Sequence, residues 1–148
     1  MKKILALALS CAAAPALAGG HAGSGDPAAG EEAFKQCIAC HVVVTDDGEK
    51  LAGRNAKTGP NLYGIAGRQA GTVDGFRYGK DIVTAGEEGL VWTEETFVAY
   101  VQDPTPYLRE VLDNRRARGK MAYKVRSEED ALNLYAYLAS IGPEPATN

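Results

Sequence analysis

The chain has 148 residues, enough for one domain and little more. Its formal net charge is −3, and an acidic balance argues against a non-specific nucleic-acid binder, which is ordinarily basic. Cysteine is too scarce, at three residues, for a disulfide-stapled scaffold.

Residues 1–18 are unlike the rest. Lys2 and Lys3 give a short positive start, Ile4 to Ala14 is almost wholly apolar, and Ala16-Leu17-Ala18 is a small-x-small cleavage site. Together they predict a secretory signal peptide cut after Ala18. The apolar run is too short to span a bilayer and no second run follows, so no membrane span is expected. Cleavage removes Cys11 and leaves Cys37 and Cys40, too close in sequence to join distant parts of the chain. Their use is expected to be local chemistry. Residues 19–25 read as a flexible N-terminus, residues 26–142 as the single domain, and 143–148 as a C-terminal tail.

Three main helices are expected in an all-α domain. The first starts at Asp26-Pro27, a cap residue followed by proline at the first helical position. Gly30, Ala33, Phe34 and Cys37 then share one face, which ends at the first cysteine. The second runs from Thr93 to about Gln102, burying Phe97, Tyr100 and Val101, and Asp103-Pro104 stops it. The third starts at Ser127, with Glu128, Glu129 and Asp130 favourably placed in its first turn. Ala131, Leu134, Tyr135, Leu138 and Ile141 make its apolar stripe, and Gly142-Pro143 ends it. Val44 to Leu90 is long, Gly-rich and without a useful strand pattern. Such a segment is improbable in a small domain unless something fills the space it wraps.

Cys37-Ile38-Ala39-Cys40-His41 is the C-x-x-C-H signature of covalent haem attachment. Two thiols three positions apart can each bond one vinyl group on neighbouring porphyrin edges, and the adjacent histidine then faces the iron. A thioredoxin-like pair usually follows a strand and opens a helix, whereas this one closes a helix. A zinc site lacks a fourth ligand, since only His21 remains in the tail. A plain disulfide leaves His41 unexplained. Met121, the one methionine after the leader, is the candidate second iron ligand. The alternative is a core gap-filler, but Gly119-Lys120-Met121-Ala122 lies off any apolar helical face.

From Gly25 to about Ile141 the residues resemble class I c-type cytochromes, near the bacterial cytochromes c2 and c550. The resemblance is carried by Phe34-Lys35-Gln36 before the motif, Gly53-Arg54-Asn55-Ala56-Lys57-Thr58-Gly59-Pro60-Asn61-Leu62-Tyr63-Gly64, Gly67-Arg68, Phe76-Arg77-Tyr78, Trp92, Tyr100-Val101-Gln102-Asp103-Pro104 and Gly119-Lys120-Met121. It implies a cytochrome c domain whose loops wrap one covalent haem c per chain. His41 and Met121 would be its axial ligands, with the Pro60 carbonyl accepting from His41 Nδ1. It likens Arg68, Tyr78 and Trp92 to residues that hold a buried propionate. Tyr100 is similar to a phenol near the methionine sulfur. Gly30 and Phe34 would meet Leu134 and Tyr137 where the first and last helices cross.

The resemblance also implies a monomeric, soluble electron carrier in the periplasm and not an enzyme. It would pass single electrons from a cytochrome bc1 complex to a photosynthetic reaction centre or terminal oxidase. A dedicated donor to a periplasmic nitrogen-oxide reductase is the alternative. Docking is expected to be transient and electrostatic. Arg115, Arg116, Arg118, Lys120, Lys124 and Arg126 would form a positive face beside Met121. Thr105 and Pro106 stand where many relatives carry docking lysines.

Overall fold

A computed structural model describes residues 23–143. The leader read at 1–18, residues 19–22 and all but Pro143 of the C-terminal tail lie outside the described residues. The elements run α1 (Pro27–Phe34), β1 (Val42–Val44), β2 (Lys50–Gly53), α2 (Lys80–Glu87), α3 (Glu94–Gln102), α4 (Pro104–Val111) and α5 (Glu128–Ser140).

The three helices expected from the sequence are present with their caps. Asp26 accepts from the Ala28 N–H at 2.8 Å, Thr93 from the Thr96 N–H at 3.3 Å, and Ser127 from the Asp130 N–H at 3.2 Å. Each bond satisfies a donor that a helix start leaves unpaired. Regular helix α1 stops at Phe34, one turn before the first cysteine. Turn-type bonds continue the path, from Cys37 N to Phe34 O at 2.8 Å and from His41 N to Cys37 O at 2.9 Å.

Helices α1 and α5 cross at the centre of the molecule. An ideal Cβ at Gly30 would lie 2.0 Å from the Asn133 carbonyl oxygen, so only glycine permits this approach. Phe34 and Tyr137 pack beside the crossing with ring centroids 5.7 Å apart. Helix α3 lies against α5 through Phe97 and Tyr135, 5.5 Å apart. Both contacts belong to one core with Leu108, Leu134 and Leu138.

Four features depart from the expected pattern. Val42–Val44 and Lys50–Gly53 form an antiparallel hairpin with an irregular register between Val43 and Val44. It is too short to show a period of two, but it buries Val43 completely. Helix α2 starts at Gly79, which makes no side-chain cap bond, so its start carries no local signal. Asp103-Pro104 ends α3 and also begins α4, with Pro104 in the first helical turn, where its missing N–H costs nothing. Residues 23–25, expected to be part of a loose N-terminus, are instead tied down. Ser24 N donates to Glu94 Oε1 at 2.5 Å, and Asp26, just after them, donates from its N–H to the buried Asn133 Oδ1 at 2.7 Å.

Candidate functional site

One cavity of about 360 Å³ gathers Cys37, Cys40, His41, Pro60, Arg68, Tyr78, Trp92, Tyr100 and Met121, every site residue expected from the sequence. Its remaining walls are mostly apolar. Ile82 comes from α2, Phe97 and Val101 from α3, and Leu134 and Leu138 from α5.

The turns after α1 present the two cysteines and His41 on one side. Burial, and then the neighbouring Cys40, push the Cys37 thiol up to about 11. His41 Nδ1 lies 2.9 Å from the Pro60 carbonyl oxygen. A carbonyl only accepts, so this contact is a hydrogen bond when Nδ1 carries the proton, which leaves the Nε2 lone pair uncommitted. Burial lowers the pKa of the ring, opposed by that bond, and favours the neutral form that a metal ligand requires. The loop carrying Pro60 is held by Asn61. Its side chain accepts from Val44 N at 3.0 Å and donates to Val44 O at 2.7 Å. Gly59 N donates to Cys40 O at 2.7 Å.

Arg68 and Trp92 are brought side by side by their backbones. Gly67 N donates to Trp92 O and Trp92 N to Arg68 O, each at 2.9 Å. The Arg68 guanidinium also donates to Tyr63 O. Tyr100 packs on Trp92 at 4.9 Å. Burial, and then the nearby Tyr78, push its phenol up to about 12, while burial is also the main cause raising Tyr78. Two phenols, an indole N–H and a guanidinium therefore share one apolar cavity, where buried donors need acceptors.

The segment before Met121 is pinned residue by residue. Ala117 O accepts from Arg109 Nε at 3.1 Å, and Arg118 N donates to Asp81 Oδ2 at 2.8 Å. Gly119 N donates to Thr105 Oγ1 at 3.0 Å, and Lys120 Nζ to Arg77 O at 2.8 Å. Beyond Met121, Lys124 pairs with Asp103 at 2.5 Å, and Val125 N donates to Val101 O at 2.9 Å. Asp81, Thr105 and Arg109 belong to the two helices the sequence did not reveal. Their role carries no local signature.

No protein-family model matches the chain. Among curated proteins, it is 65% identical over 119 residues to the cytochrome c2 of Rhodovulum adriaticum, covering 80% of this chain and 94% of that one. The chain belongs to the class I c-type cytochromes. The cytochrome c2 of Cereibacter sphaeroides is 52% identical over 144 residues, covering 97% of each protein. The crystal structure of cytochrome c2 from Rhodobacter sphaeroides superposes with a TM-score of 0.80 at 54% identity, covering 82% of this chain and 100% of that one.

Class I cytochromes c of this kind carry one covalently bound haem c and are electron-transfer proteins, not enzymes. Cys37 and Cys40 are consistent with that attachment. The cavity suits the group in its donors and in its mostly apolar lining. An ideal Cβ at Gly59 would lie 2.4 Å from His41 Cε1 and 2.6 Å from Nδ1, so the loop can lie against the imidazole only because residue 59 has no side chain. Two thiols, an imidazole and a thioether stand among apolar walls, a donor set proper to a c-type haem. Among the described residues no helix is long and apolar enough to cross a membrane.

Proposed function

We propose that this cytochrome is a soluble periplasmic carrier of single electrons, exported by the leader cut after Ala18. In this reading Cys37 and Cys40 would hold the haem through two thioether bonds, and His41 and Met121 would ligate its iron. The convergence of these four side chains on one mostly apolar cavity carries the reading. When bound, the haem supplies a reversible one-electron couple, with its potential raised by methionine ligation.

The chain's own residues do the rest. Pro60 fixes the His41 ring and its tautomer, and raises its basicity as a ligand. Arg68, Tyr78 and Trp92, which line the cavity, would offer charge and hydrogen-bond donors to a haem propionate, a group costly to bury unpaired. Tyr100, packed on Trp92 and lining the same cavity as Met121, would set the polarity near the methionine sulfur. The pinned 117–120 segment holds Met121 in place, which limits rearrangement when charge changes. With His41 and Met121 both ligating the iron, the bound haem would offer no place for a substrate, which suits a carrier.

The proposed donor is a cytochrome bc1 complex and the acceptor a reaction centre or terminal oxidase, met through brief electrostatic docking by the monomer. Arg115, Arg116, Arg118 and Arg126 are exposed on the run flanking Met121. On an acidic protein they favour a negatively charged partner surface.

An optical spectrum of the exported protein tests the ligand set. A c-type reduced spectrum, with a weak far-red sulfur-to-iron band in the oxidised form, is expected, together with loss of that band and a lower potential in Met121→Ala. Retention of both the band and the high potential by the variant would overturn the assignment. Mass measurement of the periplasmic product tests cleavage after Ala18.

A further inference from the structure

The mouth of the cavity has two sides that are far apart in sequence. Gln36 precedes Cys37 on one side, and Tyr123 follows Met121 by two positions on the other. Both line the cavity. The Tyr123 hydroxyl donates to Gln36 Oε1. Among the described residues, no other hydrogen bond joins the 34–41 segment to the 117–125 segment. The remaining ties of the methionine segment run to α2, α3, α4 and the Arg77 loop, on its own side of the mouth. Met121 and Ala122 make no hydrogen bond among the described residues, and Tyr123 is 43% exposed.

A segment fixed at both ends and unbonded at its middle opens locally before the molecule unfolds. We propose that the Gln36–Tyr123 bond is a latch across the cavity mouth. It holds the Met121 segment closed and slows the replacement of the methionine sulfur by ligands entering from solvent. The inference rests on Met121 being an axial ligand. A single side-chain bond at the surface is worth a modest amount, which corresponds to roughly a two- to tenfold change in the open fraction. The latch therefore keeps the site closed at rest while leaving it easy to open.

The experiment uses the full-length ferric holoprotein with imidazole as the entering ligand, following loss of the far-red band by titration and by rapid mixing. Tyr123→Phe removes the hydroxyl and keeps the ring, and Gln36→Met keeps the length and removes the amide. Each variant is expected to raise imidazole affinity and entry rate roughly two- to tenfold. The double variant is expected to equal either single one, because both remove the same bond. Ser127→Ala, which weakens the α5 cap and leaves both latch residues intact, serves as the reference for general loosening and is expected to leave imidazole entry unchanged.

Unchanged entry in the single variants, multiplicative effects in the double, or an equal rise in Ser127→Ala would each overturn the latch and leave the ligand assignment standing. A parent protein without the far-red band would overturn both.

Discussion

Gly59 and His41 are neighbours so close that the hydrogen on the glycine Cα occupies the only space available. A methyl group in its place would lie 2.4 to 2.7 Å from three atoms of the imidazole. The same loop holds the ring through the next residue, whose Pro60 carbonyl oxygen lies 2.9 Å from His41 Nδ1, so the ring cannot withdraw without losing that bond.

Gly59→Ala is therefore expected to displace His41 and to destabilise the protein by roughly 1–3 kcal/mol, the usual cost of overpacking. Denaturant unfolding of the holoprotein measures the stability, and the oxidised spectrum reports the ligation. A variant with native midpoint and spectrum would show that the loop moves away freely.

Gly30→Ala sets two effects against each other. Helix propensity favours alanine by about 1 kcal/mol, but the added carbon would meet a backbone oxygen at 2.0 Å. Backbone has no alternative rotamer, so the clash prevails. A net loss of roughly 1–3 kcal/mol is expected, read from the unfolding midpoint, with α1 and α5 forced apart. A stabilised variant would contradict the close crossing.

Alkaline pH should weaken the fold through Tyr100. Its phenol is pushed up to about 12 by burial and then by Tyr78, against an ordinary value of 10.0 in the unfolded chain. Below pH 10 both states keep the proton. Between pH 10 and 12 the unfolded chain releases a proton that the folded chain retains, so the unfolded state gains and stability falls. Tyr100→Phe is expected to flatten this part of a melting-temperature profile. An equally steep fall in the variant would assign the effect elsewhere, with half-buried Tyr78 the next phenol to test.

Charge reversal at exposed Arg116 probes docking. Arg116→Glu is expected to slow electron transfer to a purified acidic partner roughly three- to tenfold at low ionic strength. The difference should shrink as salt screens the charges. Stopped-flow rates across a salt series provide the measurement, and an unchanged rate at low salt would remove this run from the docking face.

The sequence disclosed features whose cause is local. Asp26, Thr93 and Ser127 sit immediately before the helices they cap, and C-x-x-C-H is complete within five positions. Lone Met121 was conspicuous because its neighbours are charged or small. Helix α2 escaped because Gly79 supplies no capping side chain. Helix α4 escaped because Pro104 reads equally as a stop and as a start. The pinning of Met121 was illegible for another reason. Arg118 and Asp81 are 37 positions apart, and Gln36 and Tyr123 are 87 apart, and no local pattern announces such pairings. Gly59 was visible in the Thr58-Gly59-Pro60 string, but the need for a bare Cα there emerges only when His41 is placed against it.

The crossing of α1 with α5 has a consequence for the order of events during biosynthesis. It joins the first described helix to the last, so it cannot form until nearly the whole chain has been made. Contacts between such distant parts of a chain are also the slow ones. Cys37 and Cys40 lie within six residues of the end of α1 and emerge long before α5 exists. The thiols thus stay accessible while the domain is still open, and the final helix closes over a site whose covalent chemistry can already be complete.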